Sequence, residues 1–150
     1  CWWVAVRVRH GYLFLVGRCG LLRVGLPLEE VLEVTDLGTV RPGPSPIPSM
    51  RGGTLARGHL VPIFHLGALL RGGTIGVNAN SAGVLVDVQG NSICLEVDEA
   101  DFVSDGERLP VPPGESMPWA TSVVRRPEGL IPILNLSALA ERLAEAQPIS

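Results

Sequence analysis

Val61-Pro62-Ile63-Phe64-His65-Leu66-Gly67-Ala68-Leu69-Leu70 returns seventy residues later as Ile131-Pro132-Ile133-Leu134-Asn135-Leu136-Ser137-Ala138-Leu139-Ala140. Proline, isoleucine, leucine, alanine and leucine coincide at matching positions, and Val/Ile and Phe/Leu differ conservatively. Upstream, Leu28-Glu29-Glu30-Val31-Leu32-Glu33-Val34 is echoed by Val97-Asp98-Glu99-Ala100-Asp101-Phe102-Val103. Two echoes in one order mean that a supersecondary unit occurs twice. The expectation is a pair of similar small β modules, which offer surfaces and a groove before they offer a catalytic pocket.

Working outward, 150 residues suit one domain built from two subdomains, here placed at 12–75 and 82–135. Apolar residues make up 46% and charged residues 18%, ample for a core. No apolar run approaches the ~18 residues of a membrane span. The 18 glycines and 13 prolines fit short strands joined by tight turns. A net charge of -3 gives no electrostatic reason to expect nucleic acid. Cys1, Cys19 and Cys94 form no Cys-x-x-Cys, and Cys94 reads as a small apolar strand residue. The start at Cys1-Trp2-Trp3-Val4 reads as trimmed, without the features of a signal peptide.

The period-2 alternation of Val4 to Arg9 reads as a strand, followed by strands over Tyr12 to Val16 and Leu21 to Leu26 with a turn at Gly17 to Gly20. Leu28 to Val34 fits a helical turn or a strand, with β-branched residues favouring strand from Val31. Arg41 to Pro48 holds four prolines and is loop. Pro62 within the strand His59 to Leu66 implies an edge strand or a bulge, and Pro132 should repeat it. Gly67 to Leu70 reads as one helical turn and Thr74 to Ser81 as a bridge between repeats. Val84 to Val88 and Ser92 to Val97 form a hairpin, and short strands follow at Ala100 to Ser104, Leu109 to Val111, Trp119 to Arg126 and Leu130 to Leu136. A helix over 137–146 follows from the stripe Leu136, Leu139, Ala140, Leu143 and Ala144, with Ser137 as N-cap. It packs on the β modules or, less favoured, binds a partner.

Catalytic motifs are sparse. His59 and His65 would lie about 20 Å apart on a regular strand, too far to share a metal. There is no Gly-x-Ser-x-Gly elbow, no phosphate loop and no lysine. Asp98, Glu99 and Asp101 could do acid–base work, with His65 or His59 as partner. Their echo in Glu29, Glu30 and Glu33 favours a repeated solvated turn instead. No cofactor or metal is implied, and the chain is read as non-enzymatic.

Gly25 to Val34, the Pro-rich loop, and Arg51-Gly52-Gly53-Thr54-Leu55-Ala56-Arg57-Gly58-His59-Leu60-Val61-Pro62-Ile63 together resemble the CheW family of chemotaxis coupling adaptors. The family hallmark runs Gly-x-x-Asn-Leu-Arg-Gly-x-x-x-Pro-x-x-Asp-Leu. Arg57, Gly58, Pro62 and Leu66 match it, Val97-Asp98 takes the place of the family's Val-Asp, and Leu130 to Leu143 matches the closing strand and helix. Leu55, Ala56 and His65 stand where the family has Asn, Leu and Asp, and Cys94 replaces a small glycine.

The resemblance implies one CheW-like domain over 1–150, mainly β, with two five-stranded SH3-like barrels and a C-terminal helix. It implies two partners: a chemoreceptor signalling tip held in the groove between barrels, and the regulatory domain of a chemotaxis histidine kinase. It assigns Val31, Glu33, Arg57, Gly58 and Ala100 to the receptor and Val40, Arg41 and Pro42 to the kinase. Read by itself, Arg57 lies in a strand committed to burial, where its five donors need acceptors. It either bonds carbonyls across the barrels or holds the groove against the receptor; Val31 is either core or groove. The role is an adaptor in two-component signal transduction, cytoplasmic and recruited to arrays at the inner face of the membrane, with no insertion in it. The alternatives are a divergent member that binds receptor but couples kinase poorly, and a fragment of the kinase regulatory domain. The ending Gln147-Pro148-Ile149-Ser150 reads as natural and favours a free-standing protein.

Overall fold

A computed structural model describes residues 12–40, 50–71, 78–114 and 117–146. The strands are β1 (Tyr12–Cys19), β2 (Leu22–Pro27), β3 (Val31–Val40), β4 (Met50–Ala56), β5 (His59–His65), β6 (Asn78–Val88), β7 (Asn91–Val97), β8 (Glu99–Gly106), β9 (Arg108–Leu109), β10 (Ala120–Arg126) and β11 (Gly129–Leu134). A 3-10 turn spans Leu28–Glu30, and the helices are α1 (Leu66–Arg71) and α2 (Leu136–Ala146). The expected strand at Val4 to Arg9 and the Pro-rich loop lie outside the described residues.

Several strands are apolar at successive positions, and the two sheets explain why. One has the order β8-β1-β2-β11-β10-β9, the other β3-β6-β7-β5-β4. In the first, Phe14, Val16, Val124, Ile131 and Ile133 cluster on one face. In the second, Val61, Ile63, Leu85 and Cys94 do the same, with Leu32, Leu37 and Ala56 against them. Intervening residues such as Leu15, Leu26, Val84, Val86, Leu95, Val97 and Leu134 meet in a third cluster, the largest, joined by Leu66, Leu69 and Leu139 from the helices. A strand buried on both faces has no polar side to show, so alternation vanishes.

The duplication is real, but its copies are interlaced. Strands β6 and β7 join β3 to β5, whereas β1 and β2 join β8 to β11. Sheet membership therefore does not divide the chain into 12–75 and 82–135. The registers repeat: Val31 lies opposite Val86 and Ala100 opposite Gly17. Ile63 lies beside Cys94 and Ile133 beside Gly25, both in parallel pairs. The first sheet gains the two-residue β9 as a sixth strand.

Other expectations shift in detail. Strand β1 continues through Gly17 and Arg18, so the turn is Gly20-Leu21. Asn78 to Ser81 belong to β6 rather than to a bridge. The stretch Leu28 to Val34 combines both readings, a 3-10 turn and then strand from Val31. Strand β5 is no edge, being flanked by β7 and β4. Its ladder to β7 begins at Ile63, so the donor that Pro62 lacks falls where that ladder has not started. Pro132 repeats this ahead of Ile133. The bulges lie in the neighbouring strands, between Met50 and Gly52 and between Ala120 and Ser122.

Equivalent core positions exchange bulk between the halves. A Cβ on Gly25 would lie 2.5 Å from Ile133 Cδ1 and 2.7 Å from Phe14 Cδ2, so Phe14 fills the space that Gly25 leaves. In the other sheet Gly83 takes the place of Phe14, and Cys94 that of Gly25. There a Cβ on Gly83 would meet Cys94 Sγ at 2.6 Å. Gly25→Ala should overpack the first interior and cost about 1–3 kcal/mol in urea unfolding. Pairing it with Phe14→Leu should cost less than the sum of the two singles.

Candidate functional site

Arg57 and Gly58 form the two-residue turn between β4 and β5, with φ of 53° and 81°. Positive φ at both positions suits the twist of a tight hairpin, and glycine accepts it without strain. Arg57 is thus at an exposed tip and not in a buried strand. Its Nη2 donates to the Leu32 carbonyl at 3.1 Å, and its Nε lies 3.8 Å from Glu33 Oε1. Strands β3 and β4 are opposite edges of their sheet, so this contact curls the sheet toward closure. The carbonyl it uses belongs to the same sheet, not to the other barrel. Arg126 does the equivalent in the first sheet, donating to the Asp105 carbonyl at 2.8 Å. Sequence reading missed Arg126, which stands at the register position of Ala56, one residue before the turn, so no sequence echo links it to Arg57.

Beside the turn, Leu55 and Leu60 face each other across the ladder and are 77% and 75% exposed. The structure therefore gathers Arg57, Gly58, Glu33, Leu55 and Leu60 at one end of the second sheet. A cavity of about 290 Å³ opens there, lined by Leu32, Ala56, Arg57, His59 and Leu60 among others.

Val31 and Ala100 sit apart from that tip, each half-buried against the central core at register-equivalent places. Ala100 also lines a cleft of about 380 Å³ shared by β3, β6 and β8, with Val34, Asp36, Ser81 and Asp98. This cleft spans both sheets. Val40 ends β3 opposite Asn78; Arg41 and Pro42 lie outside the described residues.

The acidic echo resolves into turn chemistry. Asp98 Oδ2 accepts from the Gly20 amide at 2.7 Å, and Arg18 lies 3.6 Å from Asp98 and 3.3 Å from Glu99. Among the described residues no group of His, Cys, Asp and Glu could hold a metal ion. Burial pushes the thiols of both Cys19 and Cys94 up to about 11, which keeps them protonated.

A buried polar cluster escaped the sequence reading. Arg51, at the β4 bulge, reaches Glu96 with Nε to Oε1 at 2.8 Å, and Ser81 Oγ donates to Oε2 at 2.7 Å. Both charged side chains are almost wholly buried. The signal was Glu96 itself, a charge within the apolar run Ile93 to Val97.

The two helices are capped alike. Ala68 N donates to His65 Nδ1 at 3.1 Å, and Asn135 Oδ1 accepts from Ser137 N at 3.0 Å and Ala138 N at 3.2 Å. The cap of α2 is therefore Asn135 and not Ser137, whose amide is one of those being capped.

The family model for the CheW-like domain matches residues 13–144. The chain belongs to the CheW-like domain family. No curated protein matches the chain by sequence. Among solved structures it is similar to the scaffolding protein TtCheW from Thermoanaerobacter tengcongensis, at 21% identity and a TM-score of 0.73, over 86% of this chain and 87% of that one. That likeness carries the fold. Within this CheW-like fold, His65 presents an acceptor to the Ala68 amide, and Leu55 presents apolar surface to solvent.

The buried and exposed ion pairs should behave oppositely. Glu96→Ala should cost about 3–5 kcal/mol, because it strands the Arg51 guanidinium in the interior. Arg57→Ala should cost at most about 1 kcal/mol, since its partner is solvated. Urea denaturation of both variants decides; equal losses would mean that Arg57 is a structural residue.

Proposed function

We propose that this CheW-like chain is a non-enzymatic adaptor in chemotaxis-type two-component signalling. It links the signalling tip of a chemoreceptor to the regulatory domain of a histidine kinase. The similar structure, TtCheW, is a scaffolding protein, which points the same way. The observation that carries the reading is the hairpin tip. Arg57 holds its charge at the surface on a conformationally fixed turn, flanked by exposed Leu55 and Leu60. Arginine is enriched among the residues that dominate protein contacts, and the two leucines add apolar area beside it.

In this proposal the receptor is held by Arg57, Gly58 and Glu33, with Val31 and Ala100 shaping the seam. The kinase is met around Val40, Arg41 and Pro42. Each contact is modest, about 1,200–2,000 Å² or less, and gains strength through multivalent arrays. The adaptor works in the cytoplasm, recruited to receptors at the inner face of the membrane. Among the described residues no helix is long and apolar enough to cross one. The turn chemistry of Asp98 and the capping role of His65 favour this reading over acid–base catalysis.

The departures at Leu55 and Ala56 favour a second reading, in which receptor binding is kept and kinase coupling is weak. Kinase activity measured with receptor, with and without this protein, separates the two: activation supports coupling, and binding without activation supports the alternative.

Arg57→Glu should abolish capture by a receptor-tip fragment while moving the thermal midpoint by only a few degrees. Capture that survives the change removes Arg57 from the receptor site.

A further inference from the structure

We propose that His65 is a proton-sensitive latch, holding α1 in the core between the sheets only while its imidazole is neutral. An amide N–H donates, so Nδ1 must present a lone pair to Ala68 N, and the ring proton sits on Nε2. A second proton would set N–H against N–H. It would also place a positive charge at the N-terminal turn of α1, where the helix amides point and disfavour it. The helix is short but central: Leu66, Ala68, Leu69 and Leu70 are all buried, three of them in the core that joins the sheets.

The surroundings keep the ring neutral. Burial lowers its pKa below 6.5, and Arg51 acts in the same direction; Glu96 and Asp98 oppose them. Glu96 is engaged by Arg51 and Ser81, and Asp98 by the Gly20 amide and Arg18. Cys19, on β1, shares with His65 the space above Gly67, and its thiol carries no charge. The register-equivalent residue Asn135 caps α2 with an amide oxygen that does not titrate. Of this pair of caps, His65 is proton-sensitive and Asn135 is not.

The direction follows from linkage. A folded pKa below 6.5 leaves the latch closed above pH 6.5. As pH falls below that value the opened state takes the proton first, so closure weakens until the folded pKa is passed. One linked proton changes the opening equilibrium by at most tenfold per pH unit.

The test is amide hydrogen exchange of the full chain at pH 7.5 and 5.5, corrected for intrinsic rates, with His65→Asn as reference. Between these values the Ala68 and Leu69 amides should lose up to about tenfold protection relative to His65→Asn, while the α2 amides stay level. Nitrogen spectra of the wild-type imidazole at pH 7.5 should report an unprotonated Nδ1. Equal protection in both proteins across the range, or a proton found on Nδ1, overturns the proposal.

Discussion

Burial of strands on both faces is the constraint from which the rest of this molecule follows. Each sheet curls over its own apolar interior and presses its other face on its neighbour, so the central stretches 14–17, 24–27, 83–86 and 93–97 of β1, β2, β6 and β7 have no solvent side. At about 25 cal/mol per Å² of apolar surface removed from water, the shared layer outweighs any single polar contact on the surface. It also binds the halves into one cooperative unit, because neither sheet covers its inner layer alone. The interlacing strengthens this: each sheet takes strands from both copies of the repeat, so neither copy forms its sheet without the other.

Two solutions to the same packing problem stand side by side. Phe14 over Gly25 and Gly83 under Cys94 fill equivalent space with bulk on opposite strands. The backbone registers survive this exchange almost unchanged, which is what a close-packed interior demands: volume is conserved, and which residue supplies it is free to vary. The same economy appears in the caps, where His65 and Asn135 supply one acceptor each by different chemistry. It appears again in the closing arginines, Arg57 and Arg126, which seal corresponding hairpins onto opposite sheet edges.

Those closures separate structure from recognition. Arg126 is the more enclosed of the two, with an ion pair to Glu128 at 3.7 Å beside its carbonyl contact. Arg57 makes similar bonds but stands in water between two exposed leucines, so its half of the repeat presents charge and apolar area together. Meanwhile the seam cleft lined by Ala100 draws on both sheets and exists only because they are joined.

The sequence by itself determined the repeat, the all-β class, most strand positions and the two helices, because these depend on local periodicity and on where Gly and Pro interrupt it. The family resemblance marked Arg57 and Gly58, but the sequence pattern placed Arg57 in a buried strand, because exposure at a hairpin tip depends on what lies across the sheet. Only the tertiary structure decided that the copies exchange strands, that Glu96 meets Arg51 and that Asn135 caps α2. Alternation names the faces of a strand but not its neighbours, and a strand apolar on both faces fits several partners equally well until the whole core is assembled.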